Sequence, residues 1–247
     1  MRSVAGWALV GMLIAGCGDS EGPLVTGDTG PAADTIGERL LTESVTCIGI
    51  EFPHAALDGQ IGEEPPAGVA EALAAWSAMN TTLPAAGDSS PAEFRYAGTD
   101  DGFSRYLVLR GSTVGIVQFQ RTDDDWRFYN SVGDCMHLRR LSTHGRTDPV
   151  FWRSRAEPGH RVLDLYTHEQ DCASGRTAEN RLEVHVEESS STVDVVVVIQ
   201  PVGSATCPSN PPTPLTVELD EPLGARVVRD QGAVPIEAIT DWVPESS

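Results

Sequence analysis

Three groups of residues in this 247-residue chain have types and spacings that could do chemistry. His168, Glu169, Asp171 and Cys172 crowd together and offer nitrogen, oxygen and sulfur to a metal ion. A strand, however, turns successive side chains to opposite faces, so neighbours in sequence do not converge on one point. A thiol held in a disulfide is no ligand either. The cluster is therefore expected to be the solvated end of a strand, with no metal. Asp123, Asp124 and Asp125, with Asp100 and Asp101 before them, could give oxygen ligands to calcium. The calcium-loop spacing fails, because Arg127 and Phe128 stand where a ligand and a glycine belong. A polar hairpin tip accounts for these acids better. The third group, Arg139, Arg140, Arg146, Arg153 and Arg155, is a basic stretch in an acidic chain. It could dock an anionic partner, but Arg serves interfacial ion pairs well, and it is expected to meet the chain's own C-terminal half.

The motifs of common enzymes are missing. No Gly-x-Ser-x-Gly elbow occurs; Cys172-Ala173-Ser174-Gly175-Arg176 lacks the leading glycine. There is no HExxH, no Walker loop and no GxGxxG. With 36 acidic residues a carboxylate pair fit for glycoside chemistry is expected somewhere by chance, and it proves nothing. No catalytic, cofactor-binding or metal residue is assigned, and no cofactor is expected.

Cys17 does carry a chemistry. Arg2, the apolar run from Val4 to Ala15, and the small Ala15 and Gly16 form a secretory signal. The run is too short to span a bilayer, which needs roughly 20 residues. The segment resembles the lipobox of bacterial lipoproteins, in which the cysteine thiol accepts the lipid. The competing possibility is an ordinary signal peptide that leaves Cys17 a spare thiol. Five cysteines leave one unpaired, which favours lipidation. A diacylglyceryl group brings two chains, enough for stable anchoring. Residues 1–16 are thus a signal peptide. Residues 17–39, rich in Gly, Pro, Asp and Thr, are a lipidated flexible tether that would hold the body on the order of 25 Å from the membrane.

Charge narrows the partners. The 36 acidic against 17 basic residues give a net −19, which repels phosphate backbones and excludes nucleic acid. Anionic headgroups are repelled too, so the lipid must hold the protein at the membrane. Every basic residue is Arg, for which a GC-rich genome is the simplest cause. Cys47, Cys135, Cys172 and Cys207 in an exported chain suggest two disulfides, with three possible connectivities. Cys47–Cys135 and Cys172–Cys207 are favoured because each closes within one proposed domain. Loops of such length contribute about 4 kcal/mol each in the chain-entropy model.

The elements that must position these residues fall into two segments. In residues 40–147, Val45 to Phe52 reads as a strand carrying Cys47. Val69, Leu73 and Trp76 fall at helical spacing after Pro65-Pro66, which predicts a helix over Ala67 to Asn80 with Trp76 in the core. Tyr106 to Arg110, Thr113 to Gln120 and Trp126 to Ser131 read as a meander, with Gly111 at a hairpin turn. Cys135 is placed to staple that meander to the first strand. In residues 148–247, Leu182 to Val186 and Leu215 to Leu219 alternate, so one face is buried and the other wet. Thr192 to Ile199 is apolar on both sides and wants cover on both faces. The prolines after Cys207 force an extended connection. The fold class is α+β: a helix packed on an antiparallel β-meander, then a mostly-β, sandwich-like domain.

Two stretches carry a wider resemblance. Cys172-Ala173-Ser174-Gly175-Arg176 and Cys207-Pro208-Ser209-Asn210-Pro211-Pro212-Thr213-Pro214, followed by Leu219-Asp220-Glu221-Pro222-Leu223-Gly224-Ala225-Arg226, resemble the C-terminal part of an uncharacterised secreted lipoprotein family of high-GC Gram-positive bacteria. The family usually has Asp where Ala225 stands. The resemblance covers about residues 160–232. It implies export and a Cys172–Cys207 bridge, and no activity. The expected role is a non-catalytic binding or scaffolding one at the cell envelope, with the membrane reached through the lipid and a protein or envelope partner. A solute-binding lipoprotein and an envelope-polymer-acting enzyme are the alternatives.

Overall fold

A computed structural model describes residues 24–26, 35–79, 92–111, 113–123, 125–133, 135, 138–203, 206 and 208–243. The expected signal peptide, Cys17, Asp124 and Cys207 lie outside them. The described chain is mostly β with few helices. Leu24–Thr26 (β1), Ile36–Leu40 (α1), Leu41–Cys47 (β2), Ile50–Pro53 (β3) and Val69–Met79 (α2) come first. Glu93–Asp100 (β4), Phe103–Arg110 (β5), Thr113–Thr122 (β6) and Asp125–Val132 (β7) follow. Then come Arg139–Ser142 (β8), Gly145–Thr147 (β9), Val150–Ser154 (β10), Val162–Thr167 (β11), Leu182–Glu188 (β12) and Thr192–Ile199 (β13). Thr213–Glu218 (β14), Val227–Asp230 (β15), Glu237–Ala238 (β16) and Thr240–Asp241 (β17) complete the set. No described helix is long and apolar enough to cross a membrane.

β4 to β7 form an antiparallel four-stranded meander in sequence order. Its period-two pattern buries two different faces. Tyr106, Val108, Val117 and Phe119 meet Val69 and Trp76 of α2, and Trp76 stacks on Phe128 at 5.8 Å between ring centroids. Leu107 and Ile116 point the other way, to Val45, Cys47, Phe52 and Leu138. The expected helix and meander are present, with Trp76 in the core. The Cys47–Cys135 disulfide joins the meander's exit to β2.

The other two sheets are mixed. One runs β1-β14-β11-β10-β17; the other runs β16-β15-β13-β9-β8-β2-β3, with β12 also on β13. β13 explains its own composition. Val193, Val195, Val197 and Ile199 pack with Leu163, Leu165, Leu215 and Val217 of the five-stranded sheet. Val196 and Val198 pack on Leu40 and Leu41. Asp194, its one acid, is held by the neighbouring Arg229 at 2.7 Å through both carboxylate oxygens.

One expectation needs correction, and two observations concern the segments on either side of it. Val45 to Phe52 is a hairpin of two strands rather than one, because Ile48 and Gly49 turn the chain with φ of +44° and +83°. Two described pieces fall within residues 17–39. β1 pairs parallel with β14, and Thr35 caps α1 in a reciprocal box with Glu38. Finally, β2, β3, β8 and β9 share one sheet with β12, β13, β15 and β16, so the strands on either side of residue 147 are hydrogen-bonded together, Thr147 to Val198 included.

Candidate functional site

Three stretches meet in a cleft of about 280 Å³ lined by Thr46, Ile48, Gly49, Arg146, Asp148 and Asp171 among others. The first is the turn of the β2–β3 hairpin. Cys47 opposite Ile50 leaves two residues for the turn, and both take the positive φ of a type I′ turn, which matches strand twist. Gly49 meets this freely. Ile48 is β-branched, so its +44° stores strain of order 1–3 kcal/mol, and its side chain is 73% exposed at the cleft rim.

The second stretch is β9 and the residue after it. Arg146 pairs with Asp171, and its Nη2 donates to Thr46 Oγ1 at 3.1 Å, so it ties all sides of the cleft. Asp148 follows the strand, and its N–H donates to Val197 O at 3.0 Å, which holds it against β13. Its carboxylate Oδ1 accepts the Gln170 N–H at 2.9 Å. Burial pushes the Asp148 carboxyl up to about 7; the Gln170 N–H and the Arg139 charge oppose this, while Asp171 and Glu169 add to it. Arg139 donates to the Asp148 carbonyl at 2.7 Å, while its guanidinium pairs with Asp230 through two bonds of 2.6 and 2.9 Å. Asp230 also accepts the N–H groups of Val150 and Gly232. Gly232 is required there: a Cβ would stand 2.6 Å from Arg139 Nη2.

The third stretch, residues 168–172, corrects the expected solvated strand end. Glu169 is buried and bound by Arg181 at 2.5 and 2.6 Å. Asp171 is bound by Arg146, the His168 ring lies 2.9 Å from Asn210 O, and Cys172 is disulfide-bonded. The four are each engaged elsewhere and do not converge. Asn210 Nδ2 donates to the carbonyls of Glu169 and Asp171, which fixes the segment's path. On its far side lies a second hollow of about 240 Å³ lined by His168, Glu169, Pro208 and Asn210.

Asp101 and Asp123 sit at hairpin tips with positive φ, and Asp100 pairs with Arg105. Of the basic stretch, Arg139, Arg146, Arg153 and Arg155 pair with Asp230, Asp171, Asp164 and Asp241, all in the C-terminal half. Asp148 was missed by sequence reasoning, since an Asp before Pro149 reads as a turn residue and nothing local signals its burial. Also missed was a grouping of His144, Glu183 and His185, the one set of three or more His, Cys, Asp or Glu among the described residues placed to hold a metal ion. Chemically, the cleft offers one buried carboxyl of high pKa beside arginines already engaged by carboxylates, an arrangement suited to holding a hydrogen-bond donor. No family model, curated protein or solved structure matches this chain.

Proposed function

We propose that the chain is a lipid-anchored extracytoplasmic protein with a non-catalytic binding role at the cell envelope, and that the cleft under the β2–β3 turn holds its ligand. The observation that carries this is the cleft itself, where stretches more than a hundred positions apart meet over a buried, singly hydrogen-bonded carboxyl. Asp148 suits a small ligand that presents an amine or amide N–H. Two oxidised cysteine sites agree with an oxidising compartment. A sandwich-like arrangement of the C-terminal half, with its apolar faces closed on each other, would give the site a rigid base. The membrane would be reached through a lipid on Cys17, any other partner being a protein or envelope component and not nucleic acid. The Cys172–Cys207 bridge and the resemblance to secreted lipoproteins belong to the same reading.

The enzyme alternative has one observation in its favour. A carboxyl with pKa about 7 in a cleft is the kind of group that donates and accepts protons near neutrality. A thermal-shift panel of small amines, amino acids and short peptides on the full-length chain and its Asp148→Asn variant tests the main reading. A ligand that raises the wild-type Tm and loses most of that effect in the variant supports it. No shift with any compound, or equal shifts in both proteins, rejects the cleft as the site. Turnover of a ligand with a pH profile abolished by Asp148→Asn would move the assignment to the enzyme. Separately, Cys17→Ala is expected to release the protein from membranes or leave an unprocessed precursor; normal membrane retention would remove the anchor.

A further inference from the structure

His144, Glu183 and His185 meet on the face of the eight-stranded sheet opposite the cluster of Val193, Val195 and Val197. Strand alternation puts Glu183 and His185 on one side of β12 while Leu182, Val184 and Val186 pack inward on the other. His144 comes from the turn between β8 and β9, which flanks the opposite edge of β13: Val198 pairs with Glu183 on one side and Thr147 on the other. The turn is held in place independently of the cluster. The His144 N–H donates to Ser142 Oγ at 3.1 Å, Ser142 Oγ donates to Gly145 O at 2.9 Å, and the Thr143 N–H donates to Leu40 O at 2.9 Å.

His144 Nδ1 lies 3.0 Å from both Glu183 oxygens, and His185 Nε2 lies 3.0 Å from Glu183 Oε1. The ligand atoms offered by the three residues all fall within 4.8 Å of one another. Tetrahedral zinc with bonds of about 2.0–2.2 Å has ligand-to-ligand edges of about 3.3–3.6 Å, inside that range. The side chains are 31–53% exposed, open enough for an ion to enter from solvent. We propose that His144, Glu183 and His185 form a binding site for a divalent transition-metal ion, zinc by preference, that staples the β8–β9 turn across β13 to β12. Two imidazoles and one carboxylate suit zinc and its neighbours, whereas calcium and magnesium take oxygen ligands in larger number. Three protein ligands leave the fourth position to water or to a ligand atom. The three residues are not among those lining the cleft, and the proposal does not depend on how the cleft is used.

The test uses the tag-free full-length chain carrying Cys17→Ala, treated with chelator and then titrated with zinc chloride near neutral pH. One equivalent is expected to bind by calorimetry, with a Tm rise on the order of 5–10 °C at a hundredfold excess over Kd. His144→Ala and His185→Ala should each abolish both signals while the circular dichroism spectrum stays unchanged, and His168→Ala should keep them. Calcium and magnesium should give no shift. Absence of stoichiometric zinc binding, or binding that survives in His144→Ala, would overturn the proposal and leave Glu183 as a carboxylate hydrogen-bonded by two histidines.

Discussion

The meander and the mixed sheets bring strands together by different means. In the meander each strand pairs with the next in sequence, and tight turns such as Asp101-Gly102 set the register. In the mixed sheets β1 lies beside β14, and β13 lies beside β9 and β15. Turns cannot set register across such distances. Arginine–carboxylate pairs span them instead: Arg139–Asp230 across 91 positions, Arg226–Glu188 across 38 and Arg229–Asp194 across 35. The meander's pairs, Arg95–Glu93 and Arg105–Asp100, are local and half exposed. Where the chain closes contacts at long range, directional charge pairs do the work that turns do locally.

The strongest way to break this contrast is Arg139→Ala. It leaves Asp230 charged and buried without its partner, so stability should fall by about 3–5 kcal/mol in urea unfolding. Replacing both partners by apolar residues should recover much of that loss; if it recovers none, the pair is not what the loss measures. Gly232→Ala should approach the same defect, because its Cβ would displace the Arg139 guanidinium.

Asp148 gives the mixed sheets a pH signature of their own. Its carboxyl sits at about 7 in the fold against an ordinary 3.8, so the native state binds the extra proton between those values. The protein should therefore lose stability as pH rises from about 4 through 7, by on the order of 4 kcal/mol, and lose no more from this group above that. Unfolding free energies across the range should show that slope in the wild type, and Asp148→Asn should remove it.

Smaller effects sharpen the picture. Removing both Cys47 and Cys135 should cost about 2–4 kcal/mol, since their bridge closes a loop of 88 positions that holds the meander to β2. Ile48→Gly should act in the opposite direction, gaining about 1 kcal/mol by relieving the positive φ of an exposed β-branched residue. If it also weakens binding in the thermal-shift panel, the strained side chain belongs to the site. At the low end, Arg155→Ala should leave Tm unchanged, because Arg155 and Asp241 are both largely exposed.

Legibility followed the same division. The helix around Trp76, the meander and the Cys47–Cys135 staple could be read because each rests on neighbours in sequence or on one pair of thiols. The two-sided burial of β13 was visible in its valines, although what covered it was not. The Ile48-Gly49 turn escaped because it lacks the Asn-Gly or Asp-Gly that marks such turns. Glu169 escaped because its burial depends on Arg181, twelve positions on, folding back over it. The site residues were least legible of all. Asp148 and His144 gain their settings from β13 and β12, which lie tens of residues away.

The shared eight-stranded sheet has a practical consequence for the chain as a pair of fragments. Residues 153–155 and 157–162, between the bodies of β10 and β11, are exposed, which makes the connection an accessible place for a protease to nick. A cut there would leave β9 and β10 on one piece and β11, β13 and β17 on the other, still zipped along their edges and clasped by Arg139 and Asp230. The nicked protein should migrate as one species until denatured. Produced separately, the halves should behave as complementary fragments that find each other, with folding that depends on their concentration.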